Sequence, residues 1–536
     1  MLTSNDEDKM GARESAGGVT AAAHRQNDTN SLELGGGIPL GIDRTSSTIW
    51  VDVTTIVRWD RPIVGVVRVE EQLTRWILDH ASDSIRFCRY DQGLRAFLDV
   101  DREEAVARIR FFEQFEGRIA ISPQNEVKNE VKIETKVEIP ESSKPAKKPR
   151  TAWAKILRRL KKQLRRTLKS FAEPPLKSAN AVQQGQNAQQ KVPPEARQEE
   201  IIQPPRCTFR SGDAYVSVGS DWDDKDPRRL YEYKQQFQLK VIGICYDTIP
   251  IKHPHLTLER IARTFPRYLT DLAWVADHVM CISNCTRRDF LEFAASVGAP
   301  LPATSVLRLG NDLLKGRETA EHNALRNEVA SKPIELAKRT GVTAEIARSP
   351  FILFVSTLER RKNHELLYKV WVRLLEMGCD VPDLVFVGMH GWGVDDLLAD
   401  LHRDRRVRGR IHVLHGIADA ELAFLYERCE YTVYPSLYEG WGLPVVESFA
   451  FGKFCLCSNA GSLTEAGEDL AEYLDPWDVI SWADQIRYFS EHPGEIEMRN
   501  KRVAASFKPY SWRETSLSIV RRAEELARPS TTAQSG

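Results

Sequence analysis

The sequence predicts an α/β protein built as two parallel-sheet halves, and three observations carry that expectation. Short apolar runs bounded by turn residues alternate with amphipathic helical stretches, the pattern of buried parallel strands joined by crossover helices. A polar, helical connector at 315–349 divides these runs into a first set and a second. The chain of 536 residues, 42% of them hydrophobic, is long enough to bury two cores.

In the first half, 47–314, strands are expected at 48–53, 85–90, 214–218, 239–246, 279–282 and 305–309, with helices at 65–80 and 102–115. Residues 1–46 are polar and rich in Gly, Ser, Asn and Asp, the composition of a disordered tail. A segment at about 119–206 interrupts the pattern with Glu/Lys/Val-rich and then Gln/Pro/Ala-rich low complexity, and should loop out. Within it, 151–171 reads as an amphipathic helix with Trp153, Ile156, Leu157, Leu160, Leu164, Leu168 and Phe171 on one face and basic residues around the rest. No acidic residue occurs between Lys144 and Lys169. Such a helix suits an anionic membrane surface, where each basic residue contributes about 1 kcal/mol. A solvated linker helix, or an acidic partner, meets the same charges. The second half occupies 350–505, followed by a helix at 506–527 and a short tail at 528–536.

Charge and cysteine content narrow the class. Basic and acidic residues balance at 75 each, which argues against a nucleic-acid-binding chain. Nine cysteines without a CxxC pair suit reduced thiols. No apolar run approaches a membrane span and no signal-peptide pattern opens the chain, so the expectation is a cytoplasmic protein, met at the inner face of the membrane if the basic helix attaches there.

The most informative stretch is Tyr434-Pro435-Ser436-Leu437-Tyr438-Glu439-Gly440-Trp441-Gly442-Leu443-Pro444-Val445-Val446-Glu447. An apolar strand leads into a turn in which Gly440 and Gly442 allow tight backbone and close ligand approach, and Pro444 suits the first turn of a helix. Free N–H groups and the helix dipole then favour an anion such as a diphosphate. Glu439 stands in the turn and Glu447 about one helical turn in, both acceptors for sugar hydroxyls. Upstream, an apolar run at 351–355 leads through Thr357-Leu358-Glu359-Arg360-Arg361-Lys362 to Asn363, expected to cap a helix with the stripe Leu366, Leu367, Val370, Trp371, Leu374 and Leu375. Ligands of open α/β sheets lie beyond the carboxyl ends of the strands, where both loops would stand. Arg361 and Lys362 would neutralise charge on a departing diphosphate. Alone, each loop fits an ordinary surface turn or a solvated charge run.

Taken together, the two loops resemble the retaining family 4 nucleotide-sugar glycosyltransferases of GT-B fold, in which two Rossmann-like domains face a cleft. That pattern reads Thr-Leu-Glu-x-Arg-Lys-Asn, then Pro-Ser-x-x-Glu-Gly-Phe-Gly-Leu-Pro-x-x-Glu, here with Trp441 in the Phe place; further matches run through 416–422, 458–465 and 473–476. The resemblance implies that Glu447 binds ribose, that Glu439 and the backbone of Gly440, Trp441, Gly442 and Leu443 hold sugar and phosphates, and that Lys362 faces the diphosphate. Many relatives carry arginine at Thr357, so the clamp would rest on Lys362 and Arg361. It further implies a nucleotide-diphosphate sugar donor, a glycan or lipid-linked glycan acceptor, no required cofactor and no metal, and a last helix that packs back across the first domain. The implied activity is a hexosyl transfer with retention in cell-surface polysaccharide assembly. A non-catalytic, membrane-peripheral sugar-nucleotide-binding protein is the alternative.

The first half supplies fewer candidates. Gly65 opens a helix toward the cleft and Arg68 could reach a phosphate or the acceptor, as in the family's Gly-Ile-x-Arg segment; a helix-start glycine with a surface arginine fits equally. At Tyr246-Asp247 relatives often show His-Asp, so Asp247 stands as a substitute catalytic residue or as a turn cap. Asp221-Trp222-Asp223 is read as structural rather than as a metal-binding DxD, and His253-Pro254-His255 as a loop pair without a metal role.

Overall fold

Apolar runs of four to seven residues form β1 (Ile49–Asp52), β2 (Ile85–Asp91), β3 (Ala96–Val100), β4 (Ala214–Ser217), β5 (Lys240–Cys245), β6 (His278–Cys281) and β7 (Ala303–Val306). They make one sheet in the order β3-β2-β1-β4-β5-β6-β7, parallel except where β2 and β3 form a hairpin. β1 and β4 are buried along their whole length, which explains their near-continuous apolar character: helices cover both faces of the sheet. The computed structural model describes residues 47–60, 63, 65–80, 84–119, 205–311, 346, 349–417 and 419–528. The expected tail at 1–46, the basic helix at 151–171, nearly all of the connector and the end of the chain lie outside the described residues.

The second lobe carries β8 (Phe351–Val355), β9 (Asp383–Val387), β10 (Ile411–Leu414), β11 (Thr432–Tyr434), β12 (Cys455–Ser458) and β13 (Ala471–Leu474), all parallel in the order β10-β9-β8-β11-β12-β13. Its core gathers Ile352, Phe354, Leu367, Val370, Trp371, Phe386, Val433 and Trp482, joining the helix His364–Glu376 to the sheet. In both sheets the order reverses once, between β1 and β4 and between β8 and β11. Each reversal opens a crevice at the carboxyl ends of the strands, and the two motif loops emerge at that of the second sheet.

The last helix, Trp512–Ala527, returns to the first lobe. A capping box formed by Ser511 and Glu514 starts it, and Trp512, Ile519, Val520 and Ala523 are buried in the first-lobe core. Burial of each large apolar side chain contributes about 1.5–3 kcal/mol. Asn311 and Tyr510 tie the crossing down: the Asn311 N–H donates to the Tyr510 carbonyl at 2.9 Å, and the Tyr510 N–H to Asn311 Oδ1 at 3.0 Å. Two Rossmann-like lobes bridged by a returning C-terminal helix constitute the GT-B architecture.

Four local expectations change. The sequence pattern assigns no strand to 96–100, but the backbone of Pro205 and Cys207 hydrogen-bonds Asp99 and Phe97 from the other side, so a partner distant in sequence stabilises β3 as a strand. The helix expected at 102–115 extends to Ile119, and the strand expected at 305–309 is β7, ending at Val306, with Leu307 and Leu309 buried just beyond it. Asn363 does not cap the helix His364–Glu376. It adopts a left-handed conformation, φ 63°, and its side chain amide donates instead to the Pro435 carbonyl at 3.1 Å and the Pro476 carbonyl at 2.8 Å.

Candidate functional site

The two motif loops flank the reversal point of the second sheet and are fastened to each other. After β8 the chain makes a short 3-10 turn, Arg360–Lys362. After β11 it runs through Pro435 and the glycine turn into the helix Leu443–Ala450, with Pro444 in the first helical turn as the sequence predicts. The Leu437 N–H donates to the Arg361 carbonyl at 2.9 Å and Arg361 Nη1 returns a bond to the Tyr438 carbonyl at 2.9 Å. Gly442, at φ 143°, holds a conformation that side chains disfavour, with Leu463 Cδ2 only 2.8 Å from where a Cβ would stand.

Glu439 is the centre of this assembly. It is 8% exposed, and its Oε2 lies 2.6 Å from Arg361 Nη1 while its Oε1 lies 2.6 Å from Lys362 Nζ. Ser436 Oγ donates to Oε1 at 2.5 Å and Tyr434 OH at 3.2 Å. Burial would raise the Glu439 pKa, but Arg361 and Lys362 overcome it and pull the carboxyl down to about 2. Lys362 is pushed below the usual lysine range by burial and by the neighbouring Arg361 charge. Arg361 is held charged against its burial by Glu439 and Glu359, the latter accepting from Nη2 at 2.6 Å. The result is a half-buried, pre-oriented pair of cations, both held by Glu439 and Arg361 also by Glu359.

The other predicted residues fall into two groups. Asp247 faces this cluster from the first lobe: burial raises its pKa, the Arg361 charge opposes that, and its carboxylate accepts the Ile249 N–H at 2.9 Å. A Cβ on Gly440 would stand 2.2 Å from the Tyr246 carbonyl and 2.9 Å from Asp247 Cβ, so the glycine lets the two lobes touch beside Glu439. Trp441 and Leu443 pack against the first-lobe core, while Ser462 Oγ holds the Glu439 and Trp441 carbonyls at 2.9 and 2.8 Å. Glu447, half-buried on the following helix, accepts from Tyr426 OH at 3.3 Å. Thr357 is exposed, its methyl beside Gly391. Gly65 is exposed at φ 55° before the helix Val66–His80, and the Arg68 guanidinium turns back to the Ile63 carbonyl at 3.4 Å, within its own loop. Tyr246 is committed to the core, its hydroxyl donating to the Val218 carbonyl at 2.5 Å.

A second charged cluster, at the reversal point of the first sheet, escaped the sequence reading. Lys225 Nζ lies 2.8 Å from Asp52 Oδ1 and 2.8 Å from Asp221 Oδ1. Glu70, fully buried on the helix Val66–His80, accepts the Ile56 N–H at 2.8 Å through Oε1, while Oε2 has no hydrogen-bond partner. Burial is the main force lifting the Glu70 pKa to about 8, with Lys225 opposing and Asp52 and Asp221 reinforcing. Lys225 thus pairs directly with Asp52 and Asp221, while burial favours the protonated form of Glu70 beside them. Asp221 and Asp223 serve different ion pairs, to Lys225 and to Arg260, so the Asp-Trp-Asp segment is structural. Among the described residues no group of His, Cys, Asp and Glu could hold a metal ion.

Residues 341–508 match the family described as Glycosyl transferases group 1, a segment that spans the whole second lobe. Among curated proteins, the chain is 29% identical over 210 residues to the serotype-specific mannosyltransferase WbdA of Escherichia coli, covering 38% of this chain and 24% of that one. It is 33% identical over 169 residues to the O-antigen chain mannosyltransferase B of Escherichia coli, covering 31% and 44% respectively. The chain thus spans about a quarter of the length of the first relative and under half of the second. A solved Anabaena HepE structure in complex with UDP and glucose is 16% identical, at a TM-score of 0.42, over 58% of this chain and 77% of that one. No helix among the described residues is long and apolar enough to cross a membrane.

Proposed function

We propose that the protein is a retaining glycosyltransferase of family 4, moving a sugar from a nucleotide-diphosphate donor to a hydroxyl of a glycan or lipid-linked glycan in polysaccharide assembly. The observation that carries this reading is the Arg361–Glu439–Lys362 cluster, formed where the loops after β8 and β11 meet at the sheet's reversal point, the second of them leading into the helix Leu443–Ala450. The donor's diphosphate would take up the positive field of Arg361, Lys362 and the first-turn amides of Leu443–Ala450, and the same field would stabilise the charge that develops as the diphosphate departs. Glu447 would hold the ribose and Glu439 a sugar hydroxyl. The acceptor would enter on the face the diphosphate leaves, its proton passing to a phosphate oxygen, with Asp247 positioned from the opposite lobe. Such a path needs no protein nucleophile.

The similar Escherichia coli proteins are named as mannosyltransferases, so a nucleotide-linked mannose is the first donor to test. Thermal stabilisation across a panel of nucleotide sugars, followed by transfer with the stabilising donor, decides the reading; a panel that neither stabilises the protein nor is consumed would end it. Glu447→Ala should raise the donor KM about tenfold with kcat nearly unchanged, the signature of lost uniform binding. Equal loss of kcat and kcat/KM in steady-state kinetics would remove Glu447 from the ribose.

The basic, acid-free stretch at 144–169 would bring the enzyme to the anionic surface where a lipid-linked acceptor resides. Deleting 144–171 should abolish co-sedimentation with phosphatidylserine-containing vesicles at about 0.1 M salt. Undiminished sedimentation of the deleted chain would assign that surface elsewhere.

A further inference from the structure

The residues on either side of Glu439 are held by the first lobe, while its own carboxylate is held by the second. Tyr438 OH donates to Asp289 Oδ2 on the first-lobe helix Asn284–Ser296, lies 3.4 Å from Cys285 Sγ, and its ring leans on His253 at 4.7 Å between centroids. Asp289 is buried and is itself fixed by Lys252 Nζ at 2.5 Å and Thr248 Oγ1 at 3.4 Å. On the other flank, Thr286 Oγ1 donates to the Gly440 carbonyl at 3.2 Å. Glu465 of the second lobe seats the same first-lobe helix by accepting the Asn284 and Cys285 N–H groups at 2.8 and 2.6 Å.

We propose that Tyr438 is a positioning residue whose hydrogen bond to Asp289 couples the seating of the two lobes to the placement of Glu439 and Arg361. The mechanical link is short. Arg361 Nη1 donates both to the Tyr438 carbonyl and to Glu439 Oε2, so moving Tyr438 displaces both acceptors of that nitrogen. With the lobes apart, the Tyr438 hydroxyl loses its partner, the glycine turn loses its first-lobe support, and the carboxylate is no longer held in register between the two cations. A donor would then bind to the second lobe before the cations are aligned, and alignment would follow closure. The effect on turnover rests on the transferase reading above; the effect on backbone order does not.

Hydrogen exchange of segment 436–442 in the full chain, in Tyr438→Phe, Asp289→Asn and the double variant, tests the coupling. Each single variant should speed exchange of 436–442 by about tenfold, the double variant no more than the singles, with β8 and β11 unchanged. Unchanged exchange in 436–442, or effects that add, would overturn the assignment, as would a general acceleration that includes β8 and β11. With the stabilising nucleotide sugar, the same variants should lower kcat about tenfold and leave the donor KM within about twofold; an increase in KM alone would make Tyr438 a donor contact instead. If the exchange result holds while the wild-type chain transfers no sugar from any donor, the coupling stands and the transferase reading falls. If transfer occurs and Tyr438→Phe leaves both kcat and exchange unaltered, the coupling falls alone.

Discussion

Glu439→Ala should lower stability by about 3–5 kcal/mol and turnover by at least roughly 100-fold. The carboxylate is the counter-charge of two cations in a largely buried site, so its removal leaves Lys362 facing Arg361 with Glu359 and Asp247 as the remaining nearby carboxyls. Breaking a buried pair in this way is far more damaging than losing a surface one, because water does not replace the lost partner. Guanidinium unfolding and steady-state kinetics measure the two effects. A control separates charge from packing: adding Lys362→Met to Glu439→Ala should recover about 1–2 kcal/mol, since the stranded ammonium is removed as well. A double variant weaker than the single would mean that Glu439 acts through its volume and hydrogen bonds rather than its charge. The pH dependence has a definite sign. With its pKa depressed to about 2, Glu439 contributes stability that is complete above about pH 4.5 and is lost as pH falls toward 2.

The second large effect runs the opposite way. Glu70 has a folded-state pKa of about 8 against 4.5, so between those values the folded chain holds a proton that the unfolded chain releases. Its contribution is therefore full below about pH 4.5 and disappears as pH rises through 8, on the order of 5 kcal/mol at most. Glu70→Gln keeps an oxygen for the Ile56 N–H and removes the titration. The variant should gain on the wild type by several kcal/mol as pH rises from about 5 to 9 in denaturant titrations. Parallel stability curves for the two chains would show that Glu70 does not titrate in this window.

The two loops that meet around Glu439 were legible because they are written in two contiguous segments. Thr357 to Asn363 and Tyr434 to Glu447 each carry their own strand end, turn glycines or cations and helix start, and one sheet reversal point brings them together. Local signals failed where the decisive partner is distant. Asn363 looks like a helix cap until Pro435 and Pro476 supply carbonyls for its amide. Glu70 gave no warning at all, because a glutamate on an amphipathic helix ordinarily faces water; the only hint was its place on the same face as Val67, Leu73, Thr74 and Ile77.

By itself the sequence determined the class of architecture, the strands of the first sheet apart from β3, the strands β8 and β11 of the second, the loops that bear Arg361, Lys362, Glu439 and Glu447, and a last helix expected at 506–527. The strands, loops and helices follow from periodicity and turn chemistry within about twenty neighbouring residues, whereas the return of the last helix to the first lobe was implied only by the family resemblance. Only the tertiary structure decided which charges are paired, which carboxyl is neutral, and that Tyr438 and Gly440 reach the opposite lobe. Those outcomes depend on burial and on partners some 150 positions away, as between Asp289 and Tyr438, and the electrostatic environment of a side chain does not exist until the fold has removed the water around it.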